Sequence, residues 1–417
     1  MKKIFYIIMF GYCFAISVDS TRVDTSSNIT DILSKLENLE PKEIAKINKI
    51  TDNLKNKIGI SDDAIINDNE ILYSQTKYYD ELWTRYNRSE GLFLQINKVF
   101  VSQNIQGSSI YGGIGRAFYR NEYQWIIGLE QLLFNKLFQF NLEFFNKSMT
   151  PDAWKFWDGA NSLSALFRKK DYYDWFSAMG HKFSLYFHLQ NFYSIGFEYN
   201  QFSQSNMNNI LENNSFNTFY LIKEGNNIFI NNFISIGHPI DLSINDKSQI
   251  YTKISREGSI ANSDINYTKD KLNLNLFIPY SDKLNFNMKF MLGASDVSLV
   301  TWDTLGYHQN IFELGGQGTL RGYDWKSIPT SHFQLFSIES WFNSVGLFFD
   351  RAIIFDSIGN IFNSNYFDDM FSHDNQEILS SYGLILGKKN LSLTYARQLN
   401  EKSKGNFYIT FGKPLNL

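Results

Sequence analysis

Ile311 to Trp325 reads Ile-Phe-Glu-Leu-Gly-Gly-Gln-Gly-Thr-Leu-Arg-Gly-Tyr-Asp-Trp, with glycines at 315, 316, 318 and 322 and one cation, Arg321. Glycine lets a backbone turn sharply or approach other backbone closely. An arginine held in such a loop presents a planar fork of donors that fits a carboxylate. That chemistry is clamping rather than bond cleavage. The competing reading is a glycine-rich surface loop with a solvated arginine. Residue types suited to catalysis occur elsewhere without a supporting pattern. There is no Gly-x-Ser-x-Gly elbow. The 6 histidines, at 181, 188, 238, 308, 332 and 373, form no His-Glu-x-x-His pair. His181 and His188 have opposite parity along one expected strand, so they do not share a face. Phosphate-cradling and metal-binding motifs are missing too, so no cofactor is expected and the chain does not read as an enzyme.

The segments flanking the loop alternate like membrane strands. The clearest are Leu272-Asn-Leu-Asn-Leu-Phe-Ile and Leu284-Asn-Phe-Asn-Met-Lys-Phe-Met-Leu. Leu272, Leu274, Leu276 and Ile278, then Leu284, Phe286, Met288, Phe290 and Leu292, share one face, and Asn273, Asn275, Asn285, Asn287 and Lys289 the other. Such alternation suits a wall between lipid and a wet lumen. A soluble sandwich would bury the same apolar face, but it leaves the many asparagines opposite the aromatics unexplained. Aromatics reach 17 %, as interfacial girdles require, and only 6 prolines interrupt the chain. No apolar stretch is long enough for a spanning helix. The net charge of −3 disfavours nucleic acid as a partner. Strands are expected at about 91–100, 109–119, 122–133, 136–146, 179–189, 192–204, 215–224, 227–236, 249–256, 269–280, 283–294, 332–342, 346–356, 379–387, 390–399 and 405–412. Sixteen is an even number, as an antiparallel transmembrane β-barrel needs. The parity of short turns and long loops fails in the middle, where short turns near Asn135, Asn191 and Asn226 fall on the long-loop side. One strand between 120 and 268 is therefore misplaced. Segment 147–178 carries Trp154, Trp157, Trp175 and Tyr172-Tyr173. It reads as a long loop with girdle residues at its ends, or as an interfacial lid or aromatic membrane anchor.

Gly315-Gly316 followed by Leu320-Arg321-Gly322-Tyr323 resembles the signature loop of the BamA/TamA superfamily, with which the two-partner secretion transporters belong. The resemblance implies an all-β fold, a sixteen-stranded outer-membrane barrel, with the loop folded back into the lumen. It also implies that the arginine meets acidic residues on the next two strands, here Glu339 in Ser337-Ile-Glu-Ser-Trp and Asp350 in Gly346-Leu-Phe-Phe-Asp. Asp356 shares the parity of Asp350 and is a second candidate. Arg351-Ala352 follows the aspartate where relatives tend to have a small residue and glycine. By parity Arg351 points to lipid, so the strand bulges there or the position lies close to the headgroups.

The N-terminus reads as a signal peptide over 1–20: Lys2 and Lys3, an apolar run from Ile4 to Ala15, then small residues. Cys13, the single cysteine, leaves with it. Residues 21–85 read as a helical leader. Ile29, Ile32, Leu33 and Leu36 recur at helical spacing, as do Ile44, Ile47, Ile50, Leu54 and Ile58 after Pro41. That stripe suits a plug in the barrel mouth or lumen, or a docking face for a periplasmic partner. The barrel is expected over 86–417, opening at Tyr86-Asn-Arg-Ser-Glu-Gly. The resemblance implies a bacterial outer-membrane location, contact with outer-membrane lipid and lipopolysaccharide, and insertion or translocation of protein clients. The alternatives are a passive pore for small solutes and a surface structural or lipid-handling barrel.

Overall fold

The computed structural model describes residues 82–411, apart from 102–106, 135–136, 156–157, 190–191, 208–221, 238–247, 282, 298–309, 356, 358–359, 363, 372–375, 389–390 and 400–404. The signal region, nearly all of the leader, Trp157 and Asp356 lie outside the described residues.

Sixteen strands form one antiparallel sheet in sequence order. They are β1 (Leu82–Asn87), β2 (Gly91–Val101), β3 (Ser108–Ala117), β4 (Glu122–Leu133), β5 (Phe138–Met149), β6 (Phe176–Leu189), β7 (Tyr193–Asn206), β8 (Gly225–Gly237), β9 (Gln249–Ser259), β10 (Thr268–Pro279), β11 (Leu284–Ser295), β14 (His332–Phe342), β15 (Val345–Phe355), β16 (Gln376–Lys388), β17 (Leu391–Gln398) and β18 (Asn406–Phe411). Between β11 and β14 a small hairpin, β12 (Phe312–Leu314) with β13 (Ile328–Thr330), forms the stem of the glycine-rich loop. Two helices sit in loops: α1 (Asp158–Arg168) and α2 (Ser364–Phe371).

Residue parity sorts the sheet into two faces. Leu272 pairs with Leu292 and Leu274 with Phe290, while Asn273 pairs with Met291 and Asn275 with Lys289. The first set belongs to an outer face whose apolar residues are largely uncovered, for example Ile96, Ile114 and Leu347. The second set belongs to an inner face that carries the buried polar side chains and the loop stem. On the inner face Phe312, Leu314 and Leu320 pack with Met291, Phe333, Leu335 and Ala352.

The strand count hides two errors of sequence reading that cancel. β1 begins at Leu82, ahead of the expected barrel start at 86, and was not anticipated. The strand expected at 215–224 falls mostly outside the described residues, and the direct pairing of β7 with β8 leaves no strand between them. With both corrected, the parity conflict disappears. The connections at 134–137, 190–192, 280–283 and 343–344 fall on one side, and those at 150–175, 207–224, 296–331 and 356–375 on the other. Asn226, expected in a turn, lies inside β8.

Candidate functional site

The glycine-rich loop turns back against the inner face because its glycines permit conformations that other residues resist. Gly315, Gly316 and Gly318 have φ of 104°, 86° and 95°. The Gly316 amide donates to the carbonyls of Leu320 (3.0 Å) and Tyr323 (3.1 Å), and the Gly315 amide donates to Thr319 Oγ1 (2.9 Å). Two inner-face lysines cap carbonyls of the returning chain. Lys289 donates to Gly318 O (2.9 Å) and Lys269 to Ile311 O (2.8 Å).

This fold-back delivers Arg321 to Asp350. Arg321 Nε lies 2.9 Å from Asp350 Oδ2 and Nη2 lies 2.6 Å from Oδ1, a two-pronged pairing. The Arg321 backbone amide donates to the same Oδ2 at 3.1 Å. Ser337 Oγ (2.7 Å) and Ser381 Oγ (3.1 Å), from the strands on either side of β15, complete the shell of Asp350, which is fully buried. Arg321 Nη1 reaches Glu339 Oε1 at 2.5 Å, and Nη2 reaches Ser337 Oγ at 3.0 Å. The guanidinium stacks 3.6 Å from the centroid of Phe348. Burial by itself would lower the Arg321 pKa, but the carboxylates of Asp350 and Glu339 outweigh it and push the value up. Both acids on the adjoining strands therefore meet the arginine. Tyr323 packs against the apolar cluster beside it, and Tyr408 on the last strand donates to the Arg321 carbonyl (2.9 Å).

Gly322 fits only because it lacks a side chain. A Cβ there would lie 2.5 Å from the Arg397 carbonyl carbon and 2.6 Å from Ser381 Cβ. Gly322→Ala is therefore expected to cost about 1–3 kcal/mol through overpacking. In a thermal-aggregation scan the folded variant should melt earlier than the parent, with the sheet still formed; an unchanged midpoint counts against the close packing.

A second network, five residues further along the chain, was not anticipated from the sequence. Lys326 Nζ is 2.5 Å from Asp152 Oδ2 and 3.3 Å from Glu313 Oε2, and it also contacts Asp174. Lys155 pairs with Asp152 at 2.8 Å, and Arg88, in the β1–β2 turn, pairs with Asp174 at 2.9 Å. Asp171 accepts from the Arg88 amide at 2.9 Å and from Asn161 at 2.8 Å. All seven charged side chains are buried. Burial tends to raise the Asp152 pKa, but the ammonium groups of Lys155 and Lys326 prevail and hold it well below the usual range. Burial, together with Asp152 and Glu313, raises Asp174. Lys326 also has φ of 54°, uncommon for a residue with a side chain, and its neighbours over-determine it. The network ties the segment before β6 to the glycine-rich loop. The aromatics of that segment join it: Trp325 Nε1 donates to Tyr172 O (2.7 Å), and Trp154 packs edge-on to Phe312. Trp175 is buried under Arg85 (4.6 Å). So Trp154, Tyr172, Tyr173 and Trp175 face the protein; they are neither girdle nor membrane anchor.

At Arg351 the register runs unbroken on both sides, pairing it with Phe336 and Ser380, so there is no bulge. The side chain is exposed on the outer face.

No protein-family model and no curated protein matches the sequence. Solved structures match by shape. BamA from Haemophilus ducreyi lacking POTRA domains 1–3 aligns with a TM-score of 0.51 at 15% identity, over 79% of this chain and 69% of that one. CdiB from Acinetobacter baumannii aligns at 0.40 and 10% identity, over 79% and 57%, and CdiB from Escherichia coli at 0.38 and 10%, over 79% and 61%. At such identities the likeness to BamA is one of fold. The chain has a BamA-like fold, one antiparallel sheet of sixteen strands in sequence order.

Proposed function

We propose that the sheet closes into a barrel in the outer membrane that inserts proteins into that membrane or translocates them across it. The observation that carries this reading is the Arg321 clamp, which holds the glycine-rich loop against the inner wall through Asp350 and Glu339. A passive pore has little use for an arginine bridging two neighbouring strands with such geometry, whereas a machine that must keep one loop fixed while its wall moves does. α1 contacts both end strands, and the Tyr86 amide donates to Ser162 of α1 at 3.1 Å. Glu339, Asp350, Arg321, Gly322 and Tyr323 are read as a loop anchor, not as catalytic groups.

The test is depletion followed by quantitative proteomics of the cell envelope. Loss of a defined set of outer-membrane or secreted proteins, restored by the parent chain but not by Arg321→Ala, is the expected result. An unaltered envelope with slowed uptake of small sugars would instead establish a solute pore.

A further inference from the structure

α2 occupies an unusual place: it is laid against the outer face of the sheet, not the inner one. Tyr366 and Met370 are buried among Leu292, Ala294 and Phe355, with Ile254, Leu272 and Phe290 packed around them. Those strand residues have outward parity. The Tyr366 hydroxyl donates to Phe333 O at 2.8 Å, and its ring lies edge-on to Phe355 at 5.0 Å. The helix is therefore fastened to the wall.

At about 100° per residue its remaining sides fall into distinct arcs. Tyr366 and Met370 form the wall side. Phe367 and Phe371, one position on from each, form a second stripe that is 42 % and 70 % exposed. Asp368 lies on the side away from the wall and is exposed. A helix with one apolar stripe against protein, a second apolar stripe uncovered and acidic residues on the remaining side is amphipathic in the way an interfacial segment must be, though its polar side is acidic rather than basic. On β16, the strand that α2 leads into, Ile378 and Tyr382 also point outward and are exposed.

We propose that α2 is a membrane-interface helix, with Phe367 and Phe371 inserted among the acyl chains of the surrounding leaflet. Lipid covers the stripe because the face on which the helix lies is the lipid-facing face. The proposal rests on the membrane-barrel reading but not on protein insertion or export. The helix holds the 356–375 loop down at the rim and shields the outward tops of β10, β11 and β15 from water.

The test uses the full chain with Cys13→Ser, folded into palmitoyl-oleoyl phosphatidylcholine vesicles. A nitroxide is attached to Phe367→Cys or Phe371→Cys, and to Leu347→Cys and Asp368→Cys as references. Collision with oxygen reports lipid, and collision with a chelated nickel complex reports water. Both phenylalanine sites should match Leu347, with nickel collisions several-fold below those at Asp368. Nickel access at both sites equal to that at Asp368 overturns the proposal. If Leu347 itself is open to nickel and closed to oxygen, the membrane-barrel reading fails instead, so the two failures are distinct.

Discussion

Arg321→Ala is expected to release the glycine-rich loop without dissolving the sheet. Asp350 would be left fully buried with two serine hydroxyls and the loop amide, stripped of the guanidinium that pairs with it. Stranding one partner of a buried pair typically costs about 3–5 kcal/mol. Asp350→Ala should cost a similar amount, because it strands the guanidinium against Phe348. Glu339→Gln should cost less: its side chain is 22% exposed, and the amide keeps an acceptor for Asn287 and Trp341. Arg321→Lys should behave more like alanine than like the parent, since an ammonium cannot bridge Asp350, Glu339 and Ser337 together. The readout is limited proteolysis, with new cleavage between Leu314 and Lys326, alongside gel-shift retention of the folded barrel. The double substitution Arg321→Ala/Asp350→Ala should be little worse than either single one. Simple addition of the two losses would mean that the residues do not act as a unit.

Much of this arrangement was legible because membrane strands write their two faces into alternating residues. The asparagine–leucine alternation of β10 and β11 placed both faces correctly. The short Arg-Gly-Tyr motif drew attention to Glu339 and Asp350, which lie on neighbouring strands. β1 escaped notice for a physical reason. Leu82-Trp-Thr-Arg-Tyr-Asn is short, and its inner face carries Arg85 and Asn87, which bind Glu90 in the adjoining turn. Burial pushes the Glu90 pKa up, but the Arg85 guanidinium and the hydrogen bonds from Ser148 and Asn87 together bring it below the ordinary value, so that turn is held by an ionised carboxylate. Nothing in the local pattern marks such a segment as a strand. Residues 215–224 erred the other way: rich in phenylalanine, tyrosine and isoleucine, they fit strand composition. Most of them lie outside the described residues, and only the direct pairing of β7 with β8 shows that no strand comes between those two. The Lys326 network was illegible for a different reason. Lys326 and Asp174 are 152 positions apart, and no short-range pattern encodes contact between two loops.

That network yields the second large effect. Lys326→Met keeps most of the side-chain length and removes the charge. Asp152, Asp174 and Glu313 then share a buried space with Lys155 and Arg88 as the remaining cations. Loss of the central ammonium should cost about 3–5 kcal/mol at neutral pH, by the same stranding of buried charge. The consequence extends beyond the mutated loop: the segment before β6 loses its tie to the glycine-rich loop, so cleavage should appear within 150–175 as well as 311–330. The defect should also depend on pH, with a defined sign. Without Lys326, burial and mutual repulsion raise the folded-state pKa of these carboxyls above the unfolded values. The folded state then binds more protons than the unfolded one, and stability rises as pH falls towards the folded pKa. In the parent, Lys326 already offsets the charge, so its stability should change less over the same range. Denaturant midpoints of both proteins at pH 8 and pH 5.5 measure the difference. The gap between parent and Lys326→Met should narrow at the lower pH. A gap that stays constant would show that the lysine acts by packing alone, and that the two loops are joined by their aromatics, Trp325 on Tyr172 and Trp154 on Phe312.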